Sequence, residues 1–196
     1  VLNISAHELP RTAYAWCIRF LYRAGYIMGW TAMVAIFVAR FGIAWLPLLF
    51  LIQAILTIAG MILFSFLMDR FETGTLIGTC VFGASACLFL SIFFINSPLY
   101  FFALLFVVIC IFIPQLTILT AHYIEGFFTP LEAERIYPVL ESAETVGGIF
   151  GGLILGVFTS MIVSYKFFYL WIFFLFLFFC VIFFLPPTTA SYHNIF

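Results

Sequence analysis

The chain has 196 residues, 66% of them hydrophobic and 8% charged, with a formal net charge of −1. A soluble domain carries about a quarter charged residues, so this composition, with a mean hydropathy of +1.28, excludes an ordinary water-soluble enzyme or binding module. Without an acidic or basic run, nothing in the chain suits nucleic acid as a partner.

Residues 1–11 are polar and lack a short apolar core, so no cleavable signal peptide is expected. Six apolar stretches then follow, at about 20–39, 43–67, 75–95, 99–121, 139–162 and 167–185. Each supplies the roughly 20 apolar residues that a helix needs to cross a bilayer. Each is far longer than the roughly 10 residues of a barrel strand, and none alternates polar with apolar. The expected fold is an all-α integral membrane protein, one domain forming a six-transmembrane-helix bundle in the lipid bilayer. Its longer loops are 68–74 and 122–138. The tight turns at 40–42, 96–98 and 164–166 predict that consecutive spans pack antiparallel. Arg11, Arg19, Arg23, Arg70 and Arg135 fall on one side, Arg40 and Lys166 on the other. The positive-inside bias then places both termini in the cytoplasm, where the sequon Asn3-Ile4-Ser5 has no use.

The first span carries Arg19, Tyr22, Arg23, Tyr26 and Trp30 at spacings of three or four, which share one helical face. Arg23 and Tyr26 are candidates to line a polar cavity, with a snorkelling Arg beside interfacial aromatics as the alternative. The second span holds Gln53 and Thr57 one turn apart and ends in Asp69-Arg70-Phe71. In the fourth, Pro114 frees a backbone carbonyl, and Gln115, Thr117 and Thr120 follow. Gln53 and Gln115 need partners in lipid, so they face other helices, as structural contacts or as cavity lining.

Thr129-Pro130-Leu131-Glu132 has the form of a capping box and predicts a short surface helix starting there. Glu132, Glu134, Arg135, Glu141 and Glu144 make this region acidic opposite Asp69-Arg70, and a salt-bridge network between the two loops is a candidate cytoplasmic gate. The fifth span adds Gly147, Gly148, Gly151, Gly152 and Gly156, a small-residue face for close helix packing. The Phe-rich sixth span has no polar face and is expected against lipid or a greasy partner.

Cys17, Cys80, Cys87, Cys110 and Cys180 have no metal-ligand spacing and serve as small apolar fillers. His7, His122 and His193 are not grouped. Neither a phosphate-binding Gly-Lys-Ser/Thr loop nor a Gly-x-Ser-x-Gly elbow occurs, so no enzyme activity, cofactor or metal site is expected.

Six spans with short outer turns, and Asp69-Arg70 after the second, resemble the N-terminal half of major facilitator superfamily transporters. Ser65 stands where that motif begins with glycine. Four stretches look closer to the nucleotide (ATP/ADP) translocase-like branch. They are Leu2-Asn3-Ile4 with Glu8 and Arg11; Phe41-Gly42 with Leu46-Pro47; Asp69-Arg70-Phe71; and Glu132-Ala133, Arg135 and Pro138 with Gly147-Gly148 and Gly151-Gly152. The resemblance implies half of a solute transporter of a bacterial inner membrane. It would work by alternating access against a second six-helix half or a second copy, on an anionic or nucleotide-like solute. In that branch the first span usually carries charges, whereas residues 27–33 here carry none, and Glu141 and Glu144 replace small residues. A second function is therefore carried alongside: a transporter-derived, non-transporting scaffold that anchors other membrane subunits.

Overall fold

The computed structural model describes residues 8–68, 70–158 and 164–185. Six helices are long and apolar enough to cross a membrane: α1 (Leu9–Phe41), α2 (Leu46–Met68), α3 (Thr73–Phe93), α4 (Pro98–Glu125), α5 (Pro130–Phe158) and α6 (Phe167–Phe184). No strand occurs among the described residues. The chain is an all-α, multi-pass integral membrane bundle.

Two helices start earlier than hydropathy alone predicts. α1 begins at Leu9, with Pro10 in its first turn. At 1.5 Å per residue its 33 residues reach about 50 Å, well beyond a hydrocarbon core of about 30 Å. It stops at Gly42, whose φ of 87° takes the chain out of the helix. α5 begins at Pro130, behind the predicted capping box: the Thr129 N–H donates to Glu132 Oε2 at 2.8 Å, and the Glu132 N–H to Thr129 Oγ1 at 3.4 Å. This turn is not a separate surface helix. It runs straight into the membrane span with Pro138 in its interior. The proline leaves only the Glu134 carbonyl without its helical donor, and that turn is exposed, so the helix continues. The predicted 122–138 loop shrinks to residues 126–129.

α1 is the hub. Its principal neighbours are α5 and α6, while α3 packs on α4 and α6, and α2 packs on α4. The neighbours follow the order α5, α1, α6, α3, α4, α2. Of the predicted antiparallel neighbours, α3 and α4 pack together, but α1 with α2 and α5 with α6 are not principal pairs. Small residues on α1 explain the preference. A Cβ at Gly29 would lie 1.8 Å from Trp171 Cε3, and one at Gly25 2.8 Å from Phe174 Cβ, so α6 seats its large rings directly on the α1 backbone. The sixth span accordingly buries Phe167, Phe168, Trp171 and Phe178 within the bundle and shows Phe173, Phe176 and Phe184 outward.

α4 is interrupted by a π-helical turn, Val108–Phe112, in which the Ile113 N–H reaches back to the Val108 carbonyl. The interruption directly precedes Pro114, which offers no N–H to the Cys110 carbonyl. Gly60 of α2 packs against that carbonyl, where a Cβ would sit 2.9 Å from the oxygen. Beyond this contact α2 is largely bare: Leu51, Ile55, Ile58, Ile62 and Phe66 are all more than half exposed.

Candidate functional site: a charged seam and an aromatic ladder on α1

Both α1 and α5 begin at the end of the bundle that holds Glu8 and the α4–α5 turn. Their side chains meet at an almost constant sequence offset. Arg135 pairs with Glu8 at 3.0 Å, Arg11 with Glu132 at 3.5 Å, and Trp16 Nε1 donates to Ser142 Oγ at 3.2 Å. Arg19 reaches Glu141 at 2.8 Å and Glu144 at 3.3 Å through one guanidinium nitrogen. A steady offset marks a parallel pair. Arg11 also donates to the Phe127 carbonyl at 2.9 Å, and the Arg19 guanidinium lies 5.6 Å from the Tyr137 ring centre.

One turn further along, the charges give way to glycine. A Cβ at Gly147 would lie 2.7 Å from the Phe20 carbonyl oxygen, and one at Gly151 2.8 Å from that of Ala24. Only Gly lets the two backbones come this close. Gly148 grazes Ile27, while a Cβ at Gly152 or Gly156 would meet nothing within 4 Å. The predicted glycine face is thus split: Gly147 and Gly151 pack inward, and Gly152 and Gly156 are open.

Glu132, Glu141 and Glu144 of α5 therefore pair with α1, not with Arg70. Arg70 is exposed, and neither it nor the exposed Glu134 makes an ion pair among the described residues. Asp69 lies outside the described residues. Short-range spacing hid the real pairing, because the partners are more than 120 residues apart. The available signal was the arginines at 11 and 19 on α1, eight residues apart, facing Glu132 and the pair Glu141 and Glu144 at matching helical turns on α5. Glu8, Arg11 and Arg19, absent from the predicted site, are its missing members.

Above the seam, Tyr22, Tyr26 and Trp30 form a stacked ladder, each centroid 6.4 Å from the next. The Tyr22 hydroxyl donates to the Ile113 carbonyl at 3.1 Å and contacts the Thr117 hydroxyl, tying α1 to α4 just past its π turn. Arg23 is half-buried, with its guanidinium 5.6 Å from the Tyr26 ring centre and no ion pair among the described residues. Trp30 touches Phe50 of α2 at 6.1 Å between centroids. Counting from that contact at about 1.5 Å per residue, Tyr26 and Gln53 share one depth, and Arg23 and Thr57 the next. Gln115 does not join them. It is 2% exposed, and its Nε2 has no hydrogen-bond partner among the described residues.

Among the described residues no His, Cys, Asp and Glu gather as metal ligands. No protein-family model matches this chain, and no curated protein or solved structure matches it significantly.

Proposed function

We propose that this chain is one half of an integral membrane solute transporter. It would work by rocking as a rigid unit against a second half or a second copy, with its termini in the cytoplasm. The observation that carries the reading is Arg23. Arg23 lies one turn inside the span from Arg19, where holding a cation costs part of the roughly 2.5–3.5 kcal/mol of the helix centre, and it has Tyr26 beside it but no ion pair among the described residues. Such a group suits a polar pathway that receives an anion. Tyr26, Trp30 and Gln53 at neighbouring depths supply stacking and hydrogen-bonding surface for the rest of the solute, which includes the nucleotide-like class. The α1–α5 seam supports the rocking mode, since it joins the ends of two helices into one body. In this reading Arg19, Glu141 and Glu144 hold the cytoplasmic end of that body together. The bare length of α2 and the open Gly152–Gly156 edge of α5 are where the second half would close.

The test is reconstitution of the native assembly in liposomes, with uptake of labelled orthophosphate, ADP and ATP. Saturable uptake of one of them, lost in Arg23→Ala and partly kept in Arg23→Lys, supports the reading. Absence of uptake across the panel sinks it.

A second reading, a non-transporting anchor, is favoured by a different observation. Arg19, itself buried, is engaged by both Glu141 and Glu144 where α1 meets α5, a fixed contact of the kind a static scaffold would use.

A further inference from the structure

Two arginines and two carboxylates meet on successive turns of α1 and α5, but they are shared unevenly. Arg19 holds Glu141 at 2.8 Å and Glu144 at 3.3 Å through one nitrogen. Arg23, one turn further into the membrane, makes no ion pair among the described residues. We propose that Glu144 is an exchangeable partner, which moves from Arg19 to Arg23 in the empty carrier and so competes with the transported anion for Arg23. That role rests on the reading of this chain as a transporter half, and it gives that half a means of releasing its anion.

The close approach of the two backbones brings Glu144 within reach of both arginines. A Cβ at Gly147 would lie 3.2 Å from Arg23 Cβ. Glu144 precedes Gly147 by three residues, a spacing of about 5–6 Å between Cβ positions on a helix. Arg23 and Glu144 are therefore at most about 9 Å apart at Cβ, a gap that the two side chains span. Helical side chains lean toward the N-terminus of their helix. Since α1 and α5 begin at the same end of the bundle, Arg23 leans toward the turn that carries Glu144. Gly147 and Gly148, the next turn of α5, put no side chain in the way. Both charges also act on the Tyr22 hydroxyl, so they lie close to one group.

Charge decides which arrangement each state prefers. With Glu144 on Arg19, two carboxylates crowd one cation and Arg23 is left over. With Glu144 on Arg23, each arginine has one carboxylate, and Glu141 keeps Arg19. A lone cation inside a span is costly, so the even arrangement suits the empty carrier. An anion on Arg23 supplies the missing charge and repels Glu144, which returns to Arg19. The arrangement with Arg23 unpaired is thus the receiving one. Glu144 is the member free to move, because Arg19 is fixed by burial and by its place 5.6 Å from the Tyr137 ring centre. Glu141 lies one turn further from Arg23 and holds Arg19 more closely.

The experiment has two arms, both on the native assembly. In thermal melts without phosphate or nucleotide, Arg23→Gln and Glu144→Gln should be coupled, the double variant melting higher than the two single shifts predict. In uptake of whichever of orthophosphate, ADP or ATP is carried, Glu144→Gln should lower KM about tenfold, as when a competitor that holds Arg23 about nine-tenths of the time is removed. Its kcat should fall, because nothing displaces the anion. Arg19→Gln should raise KM by leaving Glu144 on Arg23, and Arg19→Gln/Glu144→Gln should bring it back down, a rescue that lost structure alone does not give. Additive melts, or an unchanged KM in Glu144→Gln, overturn the exchange and leave the transporter half standing. Coupled melts support the exchange even where no solute of the panel is taken up, which removes the transporter half instead. Should Glu144→Gln misfold, Arg19→Gln alone decides, and an unchanged KM there overturns the exchange.

Discussion

Gly147 and Gly152 are five residues apart on one helix, yet the structure assigns them opposite tolerances. A side chain at Gly147 must displace the α1 backbone at Phe20, while one at Gly152 enters open space. Gly147→Val should lower stability by about 1–3 kcal/mol, the usual range for overpacking a tight contact. Gly152→Val should be neutral in the isolated chain, and a thermal melt of both variants in one detergent checks the pair. Tyr22 offers a second residue-scale test. Its hydroxyl supplies a donor to the Ile113 carbonyl across the α1–α4 boundary. Tyr22→Phe should therefore cost about 0.5–1.5 kcal/mol and speed amide exchange around the π turn. Unchanged exchange there would mean that the hydroxyl does not pin α4.

At the scale of elements, the seam is a product of two helices that each overrun the membrane. The extra turns of α1 and α5 carry the charges that pair, and the membrane-embedded turns carry the glycines. Arg19 lies where the two regimes meet. Its side chain is 9% exposed, whereas Glu141 and Glu144 are 64% and 34% exposed. Solvent screening at the carboxylates places the pair between an exposed bridge, worth about 0–1 kcal/mol, and the roughly 3–5 kcal/mol lost on breaking a buried one. Arg19→Ala should cost about 1–2 kcal/mol, and the loss should shrink in Arg19→Ala/Glu141→Gln/Glu144→Gln as the stranded carboxylates are removed. A triple variant less stable than Arg19→Ala would contradict the clamp. At the start of α5, Thr129→Ala should cost about 1 kcal/mol by removing the N-cap, read as faster proteolysis at the 126–129 turn.

The six spans and the capping box were legible in the sequence, because hydropathy over about 20 residues and a local Thr-x-x-Glu pattern depend only on near neighbours. The reach of α1 and α5 beyond the membrane was not. Polar helical turns at 9–19 and 130–138 look like loop by hydropathy, and Pro138 reads as a breaker unless its exposed setting is known. The pairing of α5 with α1 was hidden for a similar reason. A glycine stripe announces a close neighbour without naming it, and charges at a loop look for partners in the nearest loop. That Arg23 and Tyr26 share one helical face was legible from their spacing, and the Arg23 guanidinium indeed lies beside the Tyr26 ring. Gln115 is buried in α4, and periodicity alone does not distinguish a core-facing side from a cavity-facing one.

The whole molecule leaves two helix faces unexplained by its own packing. α2 holds to the bundle through α4 and exposes most of its apolar length, and α5 exposes Ile149, Leu153 and Val157 at the other end of the neighbour order. Lipid can cover such faces, so exposure alone does not require a partner. The open glycines at 152 and 156 add a reason for one, since a flat small-residue edge gains dispersion contacts from a helix that lipid chains match poorly. Gentle solubilisation of the native membrane should therefore yield an assembly larger than the 22.3 kDa of this chain. A mass equal to two copies, or to this chain with one other six-span bundle, supports the transporter half. Gly152→Leu/Gly156→Leu should then dissociate the complex while leaving the melt of the isolated chain intact. Stable association with several unrelated subunits instead makes this chain an anchor, and Arg23 then becomes a contact to one of them, identifiable by cross-linking from position 23. A lone, monodisperse chain would remove both readings of the α2 and α5 faces and leave lipid as their only cover.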